Sequence, residues 1–472
     1  MAKLLIIQPQ VFIYPSLFNL AGAVKHYGHD CYVLVTHDIE TIEHSILNRT
    51  PDLIGFSAMT GIHKEIITMC KLIKKKFHHI PIIMGGIHPT LFPYVIYEDG
   101  IDIICRGEGE YPLVELLDRI EKKQDVSSIK NLWVKSENKV IKNELRGLVD
   151  PLDTLPLPDF SIYRHHPILS KSTYINIFLT RGCPYSCTYC HNSKKRELYN
   201  GKGKYIRSFS TGRIMKELSM LQKEFKYLNT ISLGADVFGA DYNFFKEIVS
   251  SYSQKFSIPY TFLIRPELID EKRVEILSKT NCHMIGFGIE SGSERVRREL
   301  LHRNYSNKKI IYIGHLLHRH KIKFRTYNMV GFPTETIDEM MSTVRINQQI
   351  KTDFPWCSIY TPYPKTELAQ YCLDNNFLPD HFSFDDVNSS FHSTSILKRI
   401  HRNEVQNIHS LFQTMVKFPH AHYLLNPLIK RPYHKISRLW FYCMYGYINL
   451  QSENRTLLSL WRLAQDNIRF LN

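Results

Sequence analysis

From Met1 to about Arg119 the chain alternates short apolar runs with longer segments whose apolar positions recur every three or four residues. The runs read KLLIIQP, DCYVLVT, DLIGFSA, IPIIMGG and IDIICRG, each of strand length and almost free of polar alternation. Strands of that kind are buried on both faces, so the pattern predicts a doubly wound α/β unit around a parallel sheet. Ligands of such sheets bind beyond the carboxyl ends of the strands, which gathers Gln8, Ser57 to Thr60 and Gly85 to His88 on one rim. The proline-rich stretch DPLDTLPLPDFSIYRHHP, from Asp150, suits neither a helix nor a central strand and reads as a semi-rigid crossing segment between domains. A second series follows: INIFLT, TISLGAD, YTFLIRP, MIGFGIE, KFRTYNMVGFP and WCSIYTP, separated by helical stretches. Six strands in βα succession predict a second α/β domain with its site at the carboxyl ends. Beyond Asn376 the spacing of RNEVQNIHSLFQTMVKF and ENRTLLSLWRLAQDNIRFL is helical, expected to form a region over the mouth of that domain. The expected boundaries are 1–149, 150–172 (linker), 173–375 and 376–472.

At 472 residues, 43% hydrophobic and 22% charged, the chain can bury two or three cores and has no disordered bias. Cys31, Cys70, Cys105, Cys282, Cys357, Cys372 and Cys443 are scattered singly, which suits a reducing compartment and a cytoplasmic location. The opening MAKLLIIQPQ reads as a strand rather than a signal peptide. A net charge of +15 implies attraction to polyanions without choosing among nucleic acid, an anionic membrane and an acidic substrate. LWFYCMYGYI, Leu439 to Ile448, is too short to span a bilayer. Its basic approach, IKRPYHKISR, admits an interfacial helix as well as core packing.

The most specific chemistry lies in RGCPYSCTYCHN, Arg181 to Asn192, where Cys183, Cys187 and Cys190 are separated by three and then two residues. Three thiolates can hold three irons of a [4Fe–4S] cubane and leave the fourth open to an external ligand, whereas electron carriers usually close the cluster with four protein ligands. Cys187 to His191 also spells CxxCH, a c-type haem signature that requires export. A zinc site would want a second ligand pair at comparable spacing, and no other CxxC is present.

The triplet resembles that of the radical S-adenosylmethionine enzymes. The resemblance implies a partial (β/α)6 barrel, a [4Fe–4S] cluster on Cys183, Cys187 and Cys190, and S-adenosylmethionine bound at the open iron and cleaved reductively to a 5'-deoxyadenosyl radical. It places Tyr189 beside the adenine. Asp236, in GADVFGAD, falls where the family binds the methionyl amine, a group that wants a carboxylate or carbonyl acceptor; helix capping is the alternative role. Arg265, in FLIRPELID, falls where a guanidinium can take the methionyl carboxylate, with a structural ion pair as the alternative. Glu290 and Ser291, in GFGIESGS, match the ribose-contacting strand end. Gly331-Phe332-Pro333-Thr334-Glu335-Thr336 resembles GxPGET with Thr334 at the second glycine, and PYPKTEL resembles PYPGTEL with Lys365 at the glycine. These two changes are expected to alter local turns.

The first domain resembles the cobalamin-binding domain that precedes many of these enzymes, with Ser57, Thr60, Gly85 and Gly86 around the nucleotide tail. The histidine-bearing DxHxxG segment is absent; His37, His63 and His88 lie near strand ends, and a lower axial position without histidine is expected. RGEGEYPLVELL, from Arg106, also matches this domain, with Glu108 and Glu110 read as favourable charge at a helix start. Methylthiotransferases combine three cysteines in an α/β domain with a radical domain, but Cys31, Cys70 and Cys105 fall away from a common rim.

The expected function is cobalamin-dependent methylation of an unactivated carbon of a small-molecule or lipid-like substrate, with a flavodoxin or ferredoxin as reductant. Radical cyclisation or rearrangement of the tetrapyrrole cyclase-like type is the alternative within the superfamily. An iron–sulfur binding or electron-transfer protein, with His191 as the nearest fourth ligand, is the alternative outside it. Nucleic acid is not the expected partner, and peripheral membrane contact remains open.

Overall fold

The computed structural model describes residues 1–453 apart from 138, 388–391, 393, 399 and 433–434. The chain divides into two compact units: Met1–Lys171 with Lys194–Lys226, and Ser172–Ser193 with Tyr227 onward.

The five apolar runs of the first unit form β1 (Lys3–Gln8), β2 (Asp30–Val35), β3 (Leu53–Ser57), β4 (Ile82–Gly85) and β5 (Ile103–Cys105). They pair in parallel in the order β2-β1-β3-β4-β5. Helices α1 (Pro15–His26) and α5 (Glu110–Glu121) pack together, as do α2 (Ile39–Arg49) and α3 (His63–Lys76); α4 (Ile87–Leu91) follows β4 directly. Sequence dictates these helices locally. Pro15 starts α1, and Asp38 accepts from Thr41 N at 2.9 Å as the cap of α2. In α3, Ile66, Ile67, Cys70 and Ile73 enter a core with Leu5, Ile54, Phe56 and Met84, which leaves Lys74, Lys75 and Lys76 on the final turn.

The sheet is not wholly parallel. β6 (Leu132–Ser136) and β7 (Lys139–Lys142) extend it beyond β5 as an antiparallel hairpin. Their run, LWVKSENKVIK, is half polar, as an edge covered on one face requires. The proline-rich stretch packs onto the first unit rather than standing as a free crossing. Phe160 and Tyr163 are buried against Phe18 of α1, with ring centroids 4.9 and 5.6 Å away, and Asp159 N donates to Phe18 O at 2.9 Å. Gly22 permits this approach, since a Cβ there would meet Pro158 Cα at 2.9 Å. The segment 194–226 contributes α6 (Thr211–Glu224), capped by Ser210.

In the second unit, β8 (Tyr174–Phe178), β9 (Thr230–Gly234), β10 (Tyr260–Leu263), β11 (Cys282–Glu290), β12 (Lys323–Val330) and β13 (Phe354–Ile359) form an all-parallel sheet in sequence order. Every carboxyl end therefore lies on one edge. One face packs on helices such as α7 (Tyr242–Lys255), whose Phe245 and Tyr252 meet Phe262 and Tyr260 edge to face. Gly286 gives room on β11, where a Cβ would meet Leu263 Cδ2 at 2.6 Å.

Among the described residues, the C-terminal helices pack at the edge of the sheet and toward the amino ends of its strands. α8 (Ile337–Gln349) and α9 (Arg402–Lys417) share a core with Val330 of β12 and Cys357 and Ile359 of the edge strand β13, where α9 contributes Val405, Ile408, Phe412 and Met415. α10 (His422–Ile429) and α11 (Lys435–Ser452) both pack on α9. Ile448 of α11 reaches Met284 and Phe354 near the amino ends of the strands, and Asn449 accepts from Arg325 Nη2 at 3.1 Å. Helical periodicity fixes which face is apolar, not which apolar surface it meets. Leu378 and Leu397 lie on the carboxyl side instead, in a cluster with Phe332 and Tyr360. ENRTLLSLWRLAQDNIRFL lies, beyond its first residue, outside the described residues. No helix among the described residues is long and apolar enough to cross a membrane.

Candidate active site

The cysteine loop leaves the end of β8, and its shape is fixed by bonds from neighbouring strand ends. Gly182 has φ +97°, a left-handed conformation suited to glycine, and its N–H donates to Asp236 Oδ2 at 2.7 Å. Asn192 Nδ2 donates to Asp236 Oδ1 at 3.4 Å, so one carboxylate beyond β9 ties both ends of the loop. Asp241, not Asp236, caps α7, accepting from Phe244 N at 3.0 Å. Cys190 N donates to Cys187 O at 3.0 Å, and Leu368 N donates to Thr188 O at 3.0 Å.

The three thiols are unbridged, with Cys183 and Cys187 buried and Cys190 half-buried. Burial pushes the Cys190 thiol up to about 11, and Cys187 and Cys183 add to this. Burial also raises Cys183, against the lowering effect of Arg265. Arg265, beyond β10, donates from Nη1 to Cys187 Sγ at 3.2 Å. Its other edge holds Glu267 at 2.5 Å, and its plane lies 3.6 Å from the centre of the Tyr185 ring. The ion pair expected as an alternative is present, and so is a direct contact with the cysteine loop. Clustered thiols beside a guanidinium form a donor set that fits an iron–sulfur cluster, whose sulfurs carry negative charge.

A second group adjoins it. Tyr189 OH donates to Glu290 Oε1 at 2.9 Å, and Arg303 Nη1 reaches the same oxygen at 2.7 Å and Tyr189 Oη at 3.0 Å. Glu290 has φ +65°, and a Cβ on Gly288 would collide with its carboxylate, so Gly288 makes the placement of Glu290 possible. Gly288 O accepts from Arg303 Nη2 at 3.2 Å and from Tyr305 OH at 2.8 Å. Ser291 is not part of this group. It is fully buried, with its hydroxyl directed to Glu335 Oε1 at 3.3 Å and accepting from Ser293 N at 3.2 Å. Glu335 also accepts from Gly331 N at 2.8 Å and Phe332 N at 3.1 Å, while burial raises its carboxyl to about 8.

Thr334 and Lys365 keep left-handed backbone, at φ +62° and +67°. The turns thus persist without glycine, at a cost of about 1 kcal/mol each. Arg303, Tyr305 and Glu267 escaped the sequence reading because no motif spacing marks them. Phe178 and Leu263, the last residues of β8 and β10, remain 39% and 51% exposed and put apolar surface at the same edge.

On the rim of the first unit, Gly86 and Gly85 differ. Gly86 has φ +98°, and a Cβ would meet Ala58 O at 2.7 Å, so the fold itself demands glycine. At Gly85 a Cβ would meet Cys105 Cβ and Phe56 O at 3.9 Å, ordinary van der Waals contact, so the fold itself does not demand glycine there. Ser57 is half-buried at the end of β3. Thr60 bonds His88 Nδ1 at 3.0 Å, and His88 stacks on His63 at 4.1 Å. Both rings are fully buried, and burial, aided by His63, lowers His88 to about 3. Gln8 is buried, donating to Gln10 O and Phe12 O and accepting from Tyr163 OH at 2.7 Å. Cys31, Cys70 and Cys105 are buried in β2, α3 and β5 and do not meet at the rim.

Comparison with known proteins agrees with this division. Residues 177–346 match the radical SAM superfamily and residues 12–117 match the B12 binding domain. An uncharacterized methyltransferase of Pyrococcus horikoshii is 28% identical over 332 residues, 70% of this chain and 71% of its own. An anaerobic magnesium-protoporphyrin IX monomethyl ester cyclase of Rubrivivax gelatinosus is 24% identical over 406 residues, 78% of this chain and 67% of its own. The structure of the cobalamin-dependent S-adenosylmethionine radical enzyme OxsB with aqua-cobalamin bound superposes with a TM-score of 0.69 at 16% identity, covering 99% of this chain and 75% of that one, and supports the fold. Cysteine loop, rim and both domain matches together make this chain a radical S-adenosylmethionine enzyme with a B12-binding domain, whose cofactors are a [4Fe–4S] cluster, S-adenosylmethionine and cobalamin.

Proposed function

We propose that the protein methylates an unactivated carbon of a small-molecule or lipid-like substrate in the cytoplasm. The observation that carries this reading is the loop of Cys183, Cys187 and Cys190 at the carboxyl end of β8, bonded by Arg265 and Asp236 from neighbouring strand ends. When bound, the cluster supplies the electron that cleaves S-adenosylmethionine to a carbon radical, and cobalamin supplies a methyl carrier.

The chain's own residues position and shield. Cys183, Cys187 and Cys190 hold three irons. Asp236 and Arg265 receive the methionyl amine and carboxylate; Arg265 reaches Cys187 with one N–H and keeps its charge beside Glu267. Tyr189 flanks the adenine, and Glu290, with one oxygen fixed by Tyr189 and Arg303, offers the other to the ribose diol. Exposed Phe178 and Leu263 present apolar surface to the substrate. In the first unit Ser57, Thr60, Gly85 and Gly86 border the cobalamin tail, with Thr60 held in place by His88.

The test supplies S-adenosylmethionine bearing a deuterated methyl group to anaerobically reconstituted enzyme, with dithionite or a flavodoxin system and fractionated small-molecule and lipid extracts. A product in which a labelled methyl group replaces one hydrogen of its precursor is expected. A product altered without gain of the label would favour cyclisation or rearrangement and overturn methylation. Protein with an intact cluster that never yields 5'-deoxyadenosine would instead be an electron carrier or binding protein.

A further inference from the structure

We propose that the surface of α10 and α11 docks the protein on an anionic lipid bilayer, through basic side chains and exposed apolar residues together. Between Glu404 and Glu453 there is no acidic residue, whereas Lys417, Lys430, Arg431, Lys435 and Arg438 are all cationic. The apolar exposure in the same stretch is large: Leu424 is 79% exposed, Leu439 66%, Phe418 53%, Trp440 and Tyr447 47% each, and Leu428 39%. Leu424 and Leu428 lie one turn apart on α10, and Trp440 and Tyr447 two turns apart on α11. Phe441, Met444 and Ile448 of α11 are buried, Leu439 points away from them, and Trp440 and Tyr447 flank that buried face. The helix therefore carries exposed apolar surface beyond the part that its packing buries.

The surface is also held firmly. Asn407 of α9 donates to the carbonyls of Leu428, Ile429 and Arg431 at 3.2, 3.0 and 2.8 Å, fixing the end of α10. Trp440 Nε1 donates to Thr414 Oγ1 at 2.7 Å, anchoring α11 to the same helix. Exposed Lys430 and Arg431 sit between the two helices. Aliphatic side chains and cations in a stretch of sequence without acidic residues are the chemistry of an interfacial membrane site: cations such as Lys430 and Arg431 meet anionic headgroups and the leucines enter the acyl boundary. Nucleic acid would use the cations and could stack on Phe418, Trp440 and Tyr447, but it gains nothing from exposed Leu424, Leu428 and Leu439, which is what favours the bilayer.

The test is co-sedimentation of the full-length protein with vesicles of phosphatidylcholine alone and of phosphatidylcholine with phosphatidylserine, across a salt series. Binding to the phosphatidylserine vesicles is expected, weakening with salt, and falling about tenfold both in Leu424→Glu/Leu439→Glu and in Lys430→Glu/Arg431→Glu. Unchanged thermal unfolding of both variants would show that the surface, not the fold, was altered. Absence of vesicle binding, binding unchanged in the leucine variant, retention on RNA but not on vesicles, or a concentration-dependent dimer abolished by the leucine variant would each overturn the proposal. None of these readouts involves catalysis, so their outcome is independent of the methylation reading.

Discussion

Replacing Arg303 by Met tests whether the Tyr189–Glu290–Arg303 group acts as a unit. The Arg303 and Glu290 side chains are 6% and 10% exposed, and Arg303 is within hydrogen-bond distance of Glu290, Tyr189 and Gly288 O. Removing the cation leaves a carboxylate in a nearly water-free place, so Arg303→Met should cost about 3–5 kcal/mol, the usual penalty for breaking a buried pair from one side. Glu290→Gln keeps an acceptor oxygen for Arg303 but removes the opposing charge, and should cost about 2–3 kcal/mol. If each loss arises from the partner left behind, the double variant should cost little more than the larger single change, giving a coupling of about 2–3 kcal/mol. Hydrogen exchange of peptides spanning 282–305, followed with increasing urea in the cofactor-free protein, reads this locally. Both single variants should also weaken S-adenosylmethionine binding at least about tenfold in the reconstituted protein. Additivity within about 0.5 kcal/mol would refute the reasoning, because it would mean that the two residues do not act through each other.

The rim glycines separate fold from ligand: Gly86→Ala should destabilise the first unit by about 2–3 kcal/mol through its φ and the clash with Ala58, whereas Gly85→Val should leave thermal unfolding nearly unchanged while cobalamin retention on gel filtration falls. Loss of stability in Gly85→Val, or full retention of cobalamin, would contradict this. The buried Glu335 carboxyl, raised from 4.5 to about 8, binds its proton more tightly in the folded state, so its contribution is complete below about pH 4.5 and is lost as pH rises through 8. The loss is bounded at about 5 kcal/mol, and wild-type stability should therefore decline over that window relative to Glu335→Gln; parallel pH profiles would show the carboxyl to be ionised throughout. Lys365→Gly should raise the unfolding temperature, relieving a left-handed non-glycine residue worth about 1 kcal/mol, and a lower temperature would mean that the lysine side chain stabilises the turn.

The strands of both units were legible because continuous Ile, Leu and Val runs leave few other burial solutions, and the cysteine loop because its spacing is chemically restrictive. The half-polar LWVKSENKVIK hairpin was not, since its hydrophobic alternation is interrupted and its place at the sheet edge is set by tertiary pairing. Nothing in the sequence marks Lys194–Lys226 as packing with the first unit, although Arg207, 3% exposed in its side chain, pairs with Glu108 at 2.7 Å. Arg303 lies thirteen residues beyond Glu290, past an irregular turn. A long side chain that reaches back to its partner across a loop leaves no periodic trace. Ser291 illustrates the converse: a residue that matches a motif in sequence is turned by the following turn toward Glu335.

Radical chemistry in this protein requires that Cys183, Cys187 and Cys190 hold a cluster that cleaves S-adenosylmethionine. The direct test is anaerobic reconstitution with iron and sulfide, then chromatographic assay of 5'-deoxyadenosine after addition of S-adenosylmethionine and dithionite, with Cys187→Ala in parallel. Wild type should produce 5'-deoxyadenosine, and Cys187→Ala should produce none. A wild-type protein with a reducible cluster that forms no 5'-deoxyadenosine, or a Cys187→Ala variant that forms it as well as wild type, would contradict the account.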